Sequence, residues 1–249
     1  MKSEMNGKQI LVTGGNSGIG KSVVSLLLEE GSSVFVVDIN DDSLKDQKVK
    51  YGDRLQTLVY DLTNLENIES IFVASKNMSW SLNGLVHCAG ISPLMKIEDN
   101  DVQKMITTYK INVLSFIELL KFFHNPQYTS DGGAVATMTS IATSVASFRQ
   151  SVYSSSKAAL EQVVKCAAKE FLDRKIRVNA VSAGAVETEM FSKLEASSDG
   201  LREKFERYYP LGMIPAAEIA KALVFLLSNE AIHIDGTILR IDSAFFVNK

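Results

Sequence analysis

Three residues in the second half of the chain have the types and spacing for proton transfer: Ser140, Tyr153 and Lys157. On a helix an i, i+4 pair shares one face, so the Lys157 ammonium can lie beside the Tyr153 phenol. Tyrosine titrates near pH ~10, and poising it near neutrality asks for about 3 units, or ~4 kcal/mol, of preference for phenolate. A cation held close in a water-poor site supplies a preference of that sign. Ser140, closing a short apolar run, could hold a substrate oxygen while Tyr153 exchanges its proton. The same pair also suits an amphipathic helix with a solvated lysine, so the surrounding elements decide the reading.

Those elements are clearest at the start of the chain. Gln9 to Thr13 reads as a strand buried on both faces. Gly14-Gly15-Asn16-Ser17-Gly18-Ile19-Gly20 follows, then a helix to Glu30 and a second strand, Ser33 to Asp38. A turn without side-chain bulk lets backbone approach a ligand. Its N–H groups converge at the positive end of the next helix, a seat for a pyrophosphate. Asp38 can accept hydrogen bonds from a ribose diol. The spacing is Thr-Gly-x-x-x-Gly-x-Gly, not the commoner Gly-x-Gly-x-x-Gly. Placed between strand and helix, with an acid ending the next strand, it reads as a dinucleotide site. An oxidised nicotinamide bound there would add a second positive charge near Tyr153.

The 249 residues, 46% hydrophobic and 22% charged, suit one large α/β domain spanning 1–249. A formal charge of -3 counts against nucleic acid or an anionic membrane as partner. Cys88 and Cys166 lie far apart and give no disulfide framework. His87 has no companion cluster, so no metal is expected. No apolar run is long enough for a bilayer and no apolar signal region precedes the first strand, so a cytoplasmic setting is expected.

Strand and helix patterns alternate along the rest of the chain. The third strand is Leu55 to Tyr60, with a helix over 64–75. The fourth, Gly84 to Gly90, runs into a second tight turn, and a single long helix covers 101–124. Asp131-Gly132-Gly133 reads as loop before a fifth strand, Ala134 to Ser140. A helix over 153–172, a strand over 177–182, a helix over 217–227 and a strand over 237–241 complete the series. Residues 185–212 have weak periodicity; Ser197, Ser198, Asp199 and Gly200 mixed with Met190, Phe191 and Leu194 suit a substrate lid. The pattern is a Rossmann-type α/β fold, a doubly wound parallel sheet with helices on both faces. Ligands of such sheets sit beyond the strands' carboxyl ends, where Thr13, Asp38, Asp61, Gly90, Ser140 and Gly184 fall.

Several motifs in order give a specific resemblance: Thr13 to Gly20, Asp61-Leu62, Ala89-Gly90, Asn112, Ser140, Tyr153-Ser-Ser-Ser-Lys157, Val178-Asn179-Ala180-Val181, Gly184 and Thr188. Over essentially its full length the chain resembles a compact short-chain dehydrogenase/reductase. The resemblance implies catalytic roles for Asn112, Ser140, Tyr153 and Lys157, with Asn112 bending its helix to anchor a proton-relay water. It implies a cofactor site drawn from Gly14, Asn16, Ser17, Gly18, Ile19, Gly20, Asp38 and Ile39 at the first turn. Asp61, Leu62, Cys88, Ala89, Gly90, Tyr153, Lys157, Gly184, Val186 and Thr188 complete that site. Asp61 would meet the adenine amino group, Lys157 the nicotinamide ribose and Thr188 the carboxamide. Pairing through the two long helices would give a homotetramer or dimer.

Three positions depart from the family pattern: Cys88 where asparagine is usual, Ala183 where proline is usual, and Ser243-Ala244 where two glycines are usual. The expected activity is interconversion of a secondary alcohol and a ketone with NAD. NADP is disfavoured by Asp38 and by Ser17, Ile39 and Asn40, where a cation would be needed. Met95, Phe148, Met190 and Phe191 could line an apolar substrate pocket. A 3-oxoacyl-carrier-protein reductase using NADPH is one alternative, but it needs a basic patch. His124 to Ser130 lacks one, though Arg174 and Lys175 lie elsewhere. A dinucleotide sensor without turnover is the other.

Overall fold

A computed structural model describes residues 4–195 and 200–248. The first half runs β1 (Gln9–Thr13), α1 (Gly18–Glu29), β2 (Ser33–Asp38), α2 (Lys45–Tyr51), β3 (Leu55–Val59), α3 (Glu69–Asn77) and β4 (Leu82–His87). The middle runs α4 (Val102–Tyr109), α5 (Ser115–Phe123), β5 (Thr129–Ser140), α6 (Ser151–Glu170) and β6 (Arg177–Ala183). The last part runs β7 (Val186–Glu187), α7 (Glu189–Glu195), α8 (Leu201–Tyr208), β8 (Ile214–Pro215), α9 (Ala216–Leu227) and β9 (Ile238–Ile241).

Seven strands form one parallel sheet in the order β3-β2-β1-β4-β5-β6-β9. Alternation along the strands builds two cores. Ile10, Val12, Val34 and Val36 face Val23, Val24 and Leu27 of α1 and Leu223 of α9. Leu11, Phe35, Val37 and Leu85 face Phe72 of α3, Phe116 and Phe123 of α5, and Leu160 and Val164 of α6. Each such side chain contributes roughly 1.5–3 kcal/mol on burial. Both faces being covered is why these strands read as continuous apolar runs. The Rossmann-type arrangement expected from the sequence is present. Among the described residues no helix is long and apolar enough to cross a membrane.

Three local expectations need correction. The single helix over 101–124 is two α-helices joined by a π-helical turn, Lys110–Leu114. There the Ser115 N–H goes back to Lys110 O, and the Ile111 carbonyl accepts the Ser115 hydroxyl at 2.7 Å instead. Apolar spacing cannot reveal one extra residue within a turn.

The fifth strand begins at Thr129 and absorbs Asp131-Gly132-Gly133 as an irregularity, with Leu82 beside Thr129 but Gly84 beside Ala134. The cause is Arg174, almost buried, which ties this strand start down. Its guanidinium donates to Asp131 Oδ1 at 2.8 Å, Thr129 O at 2.9 Å and His124 O at 2.5 Å.

The segment 185–212, read as an irregular excursion, holds α7 and α8 and a two-strand ribbon, Val186 beside Ile214. Arg202 of α8 grips Glu195 of α7 with two bonds of 2.6 and 3.0 Å. Ser197, Ser198 and Asp199 lie outside the described residues, and the Leu194 side chain is likewise not described.

Candidate active site

The glycine turn is built by exclusion. A Cβ at Gly14 would stand 2.6 Å from the Ala89 nitrogen, and one at Gly20 2.0 Å from the Gly14 carbonyl oxygen. Gly14 and Gly18 also take φ of 69° and 50°, where a side chain is strained. The open side of Gly18 faces Thr188, whose methyl would lie 3.4 Å from a Cβ there. Thr188 therefore closes the cleft from the far side, while its hydroxyl accepts the Phe191 N–H at the start of α7. Ser17 caps α1 without a side-chain hydrogen bond. That leaves the first-turn N–H groups for a ligand anion. A backbone-walled cradle at a helix N-terminus fits the pyrophosphate of a dinucleotide.

Asp38 is fixed at the cleft edge by two backbone donors, Asn16 N–H at 2.9 Å and Ile39 N–H at 2.7 Å. Each oxygen accepts only one of these, which leaves capacity for the donors of a ribose diol. Ile39 is 69% exposed beside it. Asp61, beyond β3, accepts the Thr63 N–H at 2.8 Å on one oxygen; Leu62 instead buries its side chain in the core.

The second turn, after β4, joins the cofactor side to the chemistry. Cys88 N–H donates to Thr13 O at 3.0 Å, so a backbone bond holds the start of this turn. Burial pushes the Cys88 thiol up to about 12, with Lys157 pulling the other way. A Cβ at Gly90 would meet Asn112 Oδ1 at 3.3 Å and Lys157 Nζ at 3.4 Å; glycine lets both groups converge. Asn112, raised by the π turn, accepts Ile91 N–H at 2.9 Å and donates to Ile91 O and Ser156 Oγ, both at 3.0 Å. Ser156 thus has a packing role.

Ser140, at the carboxyl end of β5, stands close enough to the Tyr153 hydroxyl to hold its pKa down and accepts the Ala142 N–H at 3.2 Å. Lys157, one turn along α6, is buried. Its Nζ donates to Met138 O at 2.9 Å and lies 5.9 Å from the centre of the Tyr153 ring. Desolvation lowers its pKa to about 8. Burial pushes the Tyr153 phenol above its ordinary value, opposed by Ser140. The Met138 carbonyl uses one ammonium N–H of Lys157, and two remain for other partners.

Other sequence-stressed residues divide. Gly184 sits under Tyr209, whose ring would be 2.7 Å from a Cβ there, and Ala183 gains rigidity from pairing with Ser140 and Ile241. Phe191 is buried against Arg202, whereas Phe148 and Met190 are exposed and Met95 bridges to Gln150. Two contributors had no sequence signal. His87 lies under the second turn, and Ser43 reaches Asn16 across 27 residues; tertiary contacts alone reveal them.

A doubly wound sheet with a glycine cradle and a Ser–Tyr–Lys group at its carboxyl edge defines a nucleotide-binding oxidoreductase. The family model described as Enoyl-(Acyl carrier protein) reductase matches residues 14–245, and the chain belongs to the short-chain dehydrogenase/reductase family. Among its relatives is the NAD-dependent glycerol dehydrogenase of Listeria innocua, 30% identical across 96% of this chain and 94% of that one. A solved 4-hydroxyisoleucine dehydrogenase complexed with NADH superposes with a TM-score of 0.87 at 27% identity, covering 97% of this chain and 100% of that one. ElxO with NADP bound superposes with a TM-score of 0.86 at 25% identity, covering 97% and 99%. Neighbours of the fold thus hold either cofactor.

Proposed function

We propose that this chain is an NAD(H)-dependent oxidoreductase interconverting a secondary alcohol and a ketone. The Ser140–Tyr153 pair, with buried Lys157 one turn along α6 at the end of β5, is the observation that carries the reading. The nicotinamide, when bound, exchanges a hydride with the substrate carbon. Tyr153 donates its hydroxyl proton to the nascent alkoxide, or takes it from the alcohol in reverse. Ser140 orients and polarises the same oxygen. Lys157 holds a cation near the phenol and would hold the nicotinamide ribose of a bound cofactor, while Asn112 steadies the second turn beside it. Met190 and Phe191, on the segment 185–212 acting as a lid, cover the substrate from one side.

Asp38 supports NAD(H) over NADP(H). A 2′-phosphate would bring like charge against it, about 4 kcal/mol at ~4 Å and an effective dielectric near 20. Lys45 and Lys48 are engaged with Asp42 and Asp41. Arg174, a candidate for a carrier-protein patch, is committed to Asp131 and Thr129, which weighs against that alternative.

The sensor alternative makes one contrary forecast, cofactor binding without turnover. A panel of alcohols and ketones followed by nicotinamide absorbance, with both cofactors, tests the proposal. Turnover of a secondary alcohol with higher kcat/KM for NAD is expected; binding without turnover of any member would sink it.

Assembly as a dimer or tetramer through α4, α5 and α6 belongs to the same reading. Phe116, Phe123, Val164 and Phe171 are buried within the chain. Val102, Ile106, Leu114 and Ile117 are the exposed apolar residues of that region.

A further inference from the structure

Helix α6 carries another charged residue on the face that holds Tyr153 and Lys157. Glu161 follows Lys157 by one turn, so these residues stand in one row along the helix. Lys157 and Glu161 both reach back to the end of β5, one on each side of Ser140. Lys157 Nζ donates to Met138 O at 2.9 Å, just before the serine. Glu161 Oε1 accepts the Thr143 hydroxyl at 3.0 Å, just after it. Thr143 closes the short turn Ile141–Thr143, and its hydroxyl is also 3.0 Å from Ser140 O. Inside that turn the Ala142 N–H donates to Ser140 Oγ at 3.2 Å. Thr143 and Glu161 are both half-buried, and a hydrogen bond to a charged oxygen is among the stronger kinds.

We propose that Glu161 is a positioning residue for the reaction, acting through Thr143 to fix the turn that aims the Ser140 hydroxyl. The inference rests on the Ser140–Tyr153–Lys157 reading and deepens it. A serine side chain moves among its rotamers unless a partner selects one. Here the Ala142 N–H makes that selection, which leaves the serine proton and a second lone pair for Tyr153 and a substrate oxygen. It does so only while the turn keeps its place. The Thr143 hydroxyl has a single proton and two acceptors in reach, Ser140 O and Glu161 Oε1. Charge makes the carboxylate the stronger acceptor, so the proton ties the turn to α6. Ser140 is then held by the same helix that carries Tyr153. A misplacement of ~1 Å at a reacting group can cost about 100-fold in rate, so even a partial loosening of this turn is read in kcat.

Steady-state kinetics of the full chain test this, with the best member of the alcohol and ketone panel as probe and NAD or NADH as cosubstrate. Ser140→Ala should lower kcat by at least ~100-fold, the scale of one donor to a developing oxyanion. Glu161→Ala should lower kcat by about tenfold, the scale of one hydrogen bond to a charged group, with NADH affinity unchanged. Glu161→Gln keeps an acceptor oxygen and should recover to within about threefold of wild type. In the Ser140→Ala background Glu161→Ala should cost nothing further, because the group it positions is gone. Should Glu161→Ala loosen the fold, seen as a lower melting temperature, Thr143→Val against Thr143→Ser reads the same contact from its other end. An equal loss from Glu161→Ala with and without Ser140, Glu161→Gln as slow as Glu161→Ala, or no loss at all overturns the positioning role and leaves the Ser140–Tyr153 reading standing. Ser140→Ala at the wild-type rate, or no turnover of any panel member, overturns both.

Discussion

The imidazole of His87 lies 2.8 Å from the Thr13 hydroxyl, joining the end of β4 to the end of β1 beneath both cofactor-side turns. The ring stacks on Phe116, 5.2 Å between centres, and interacts with the backbone of Ile111 at the π turn. Its Nε2 is buried without a full hydrogen bond. Desolvation, with Lys157 adding like-charge repulsion, lowers its pKa to about 3.

Acid sensitivity follows from that burial. At pH 7 the ring is neutral in folded and unfolded chains alike. Between the unfolded value near 6.5 and the folded value of about 3, only the unfolded chain binds the proton. Stability therefore falls with pH through this window, by up to about 5 kcal/mol from this group. Urea unfolding of wild type and His87→Gln at several pH values checks it: the variant should be weaker at pH 7 but lose less on acidification. Parallel losses in both proteins would place the acid sensitivity elsewhere.

Tyr153→Phe should abolish turnover while keeping NADH binding, because one hydroxyl is deleted and the buried ring stays. A loss of at least ~100-fold in kcat is expected. Activity within a few-fold of wild type would move the proton transfer to another group. Lys157→Ala should weaken NADH binding as well. Ultraviolet titration adds a sharper check: Tyr153 should not ionise below its ordinary range in the protein alone, since burial raises its pKa.

The two cysteines should differ in reactivity. Cys166 is exposed, whereas the Cys88 thiol is held as the neutral form by burial, and the thiolate is the reactive species. A thiol-specific chromogenic reagent at neutral pH should find one fast thiol, Cys166, and a slow one, half-buried Cys88, that becomes fast on unfolding. Fast modification persisting in Cys166→Ser would contradict this.

Much of this was legible in the chain because it rests on local chemistry. The glycine turn, Asp38 and the Tyr153–Lys157 spacing are decided by neighbours in sequence, and the structure brings them to one sheet edge. What was hidden depends on contacts far along the chain. Arg174 decides where β5 starts, Ser43 reaches back to Asn16, and His87 finds Thr13 across 74 residues. Which carbonyl the Lys157 ammonium meets is likewise a tertiary matter.

Ser243 and Ala244 are left-handed, with φ of 46° and 65°. A left-handed L-residue costs roughly 1–2 kcal/mol, partly offset for glycine by its greater unfolded freedom. Replacing both by glycine should raise stability by about 1 kcal/mol, read as a higher denaturant midpoint, and Ala244→Val should lower it. A glycine pair that destabilises the chain would show the turn to be unstrained.

The π turn at Lys110–Leu114 makes the helical segment sensitive to length in a way ordinary helices are not. Each residue advances an α-helix by about 100°. Deleting Ile111 would let hydrogen bonds close in regular α register from α4 into α5. The helix would gain regularity, yet Asn112 would swing away from Ile91 and Ser156. The extra residue thus works as a rotational spacer, keeping the Phe116 face of α5 against the sheet while Asn112 points at the second turn. In this segment the number of residues is as much a part of the site as their identity.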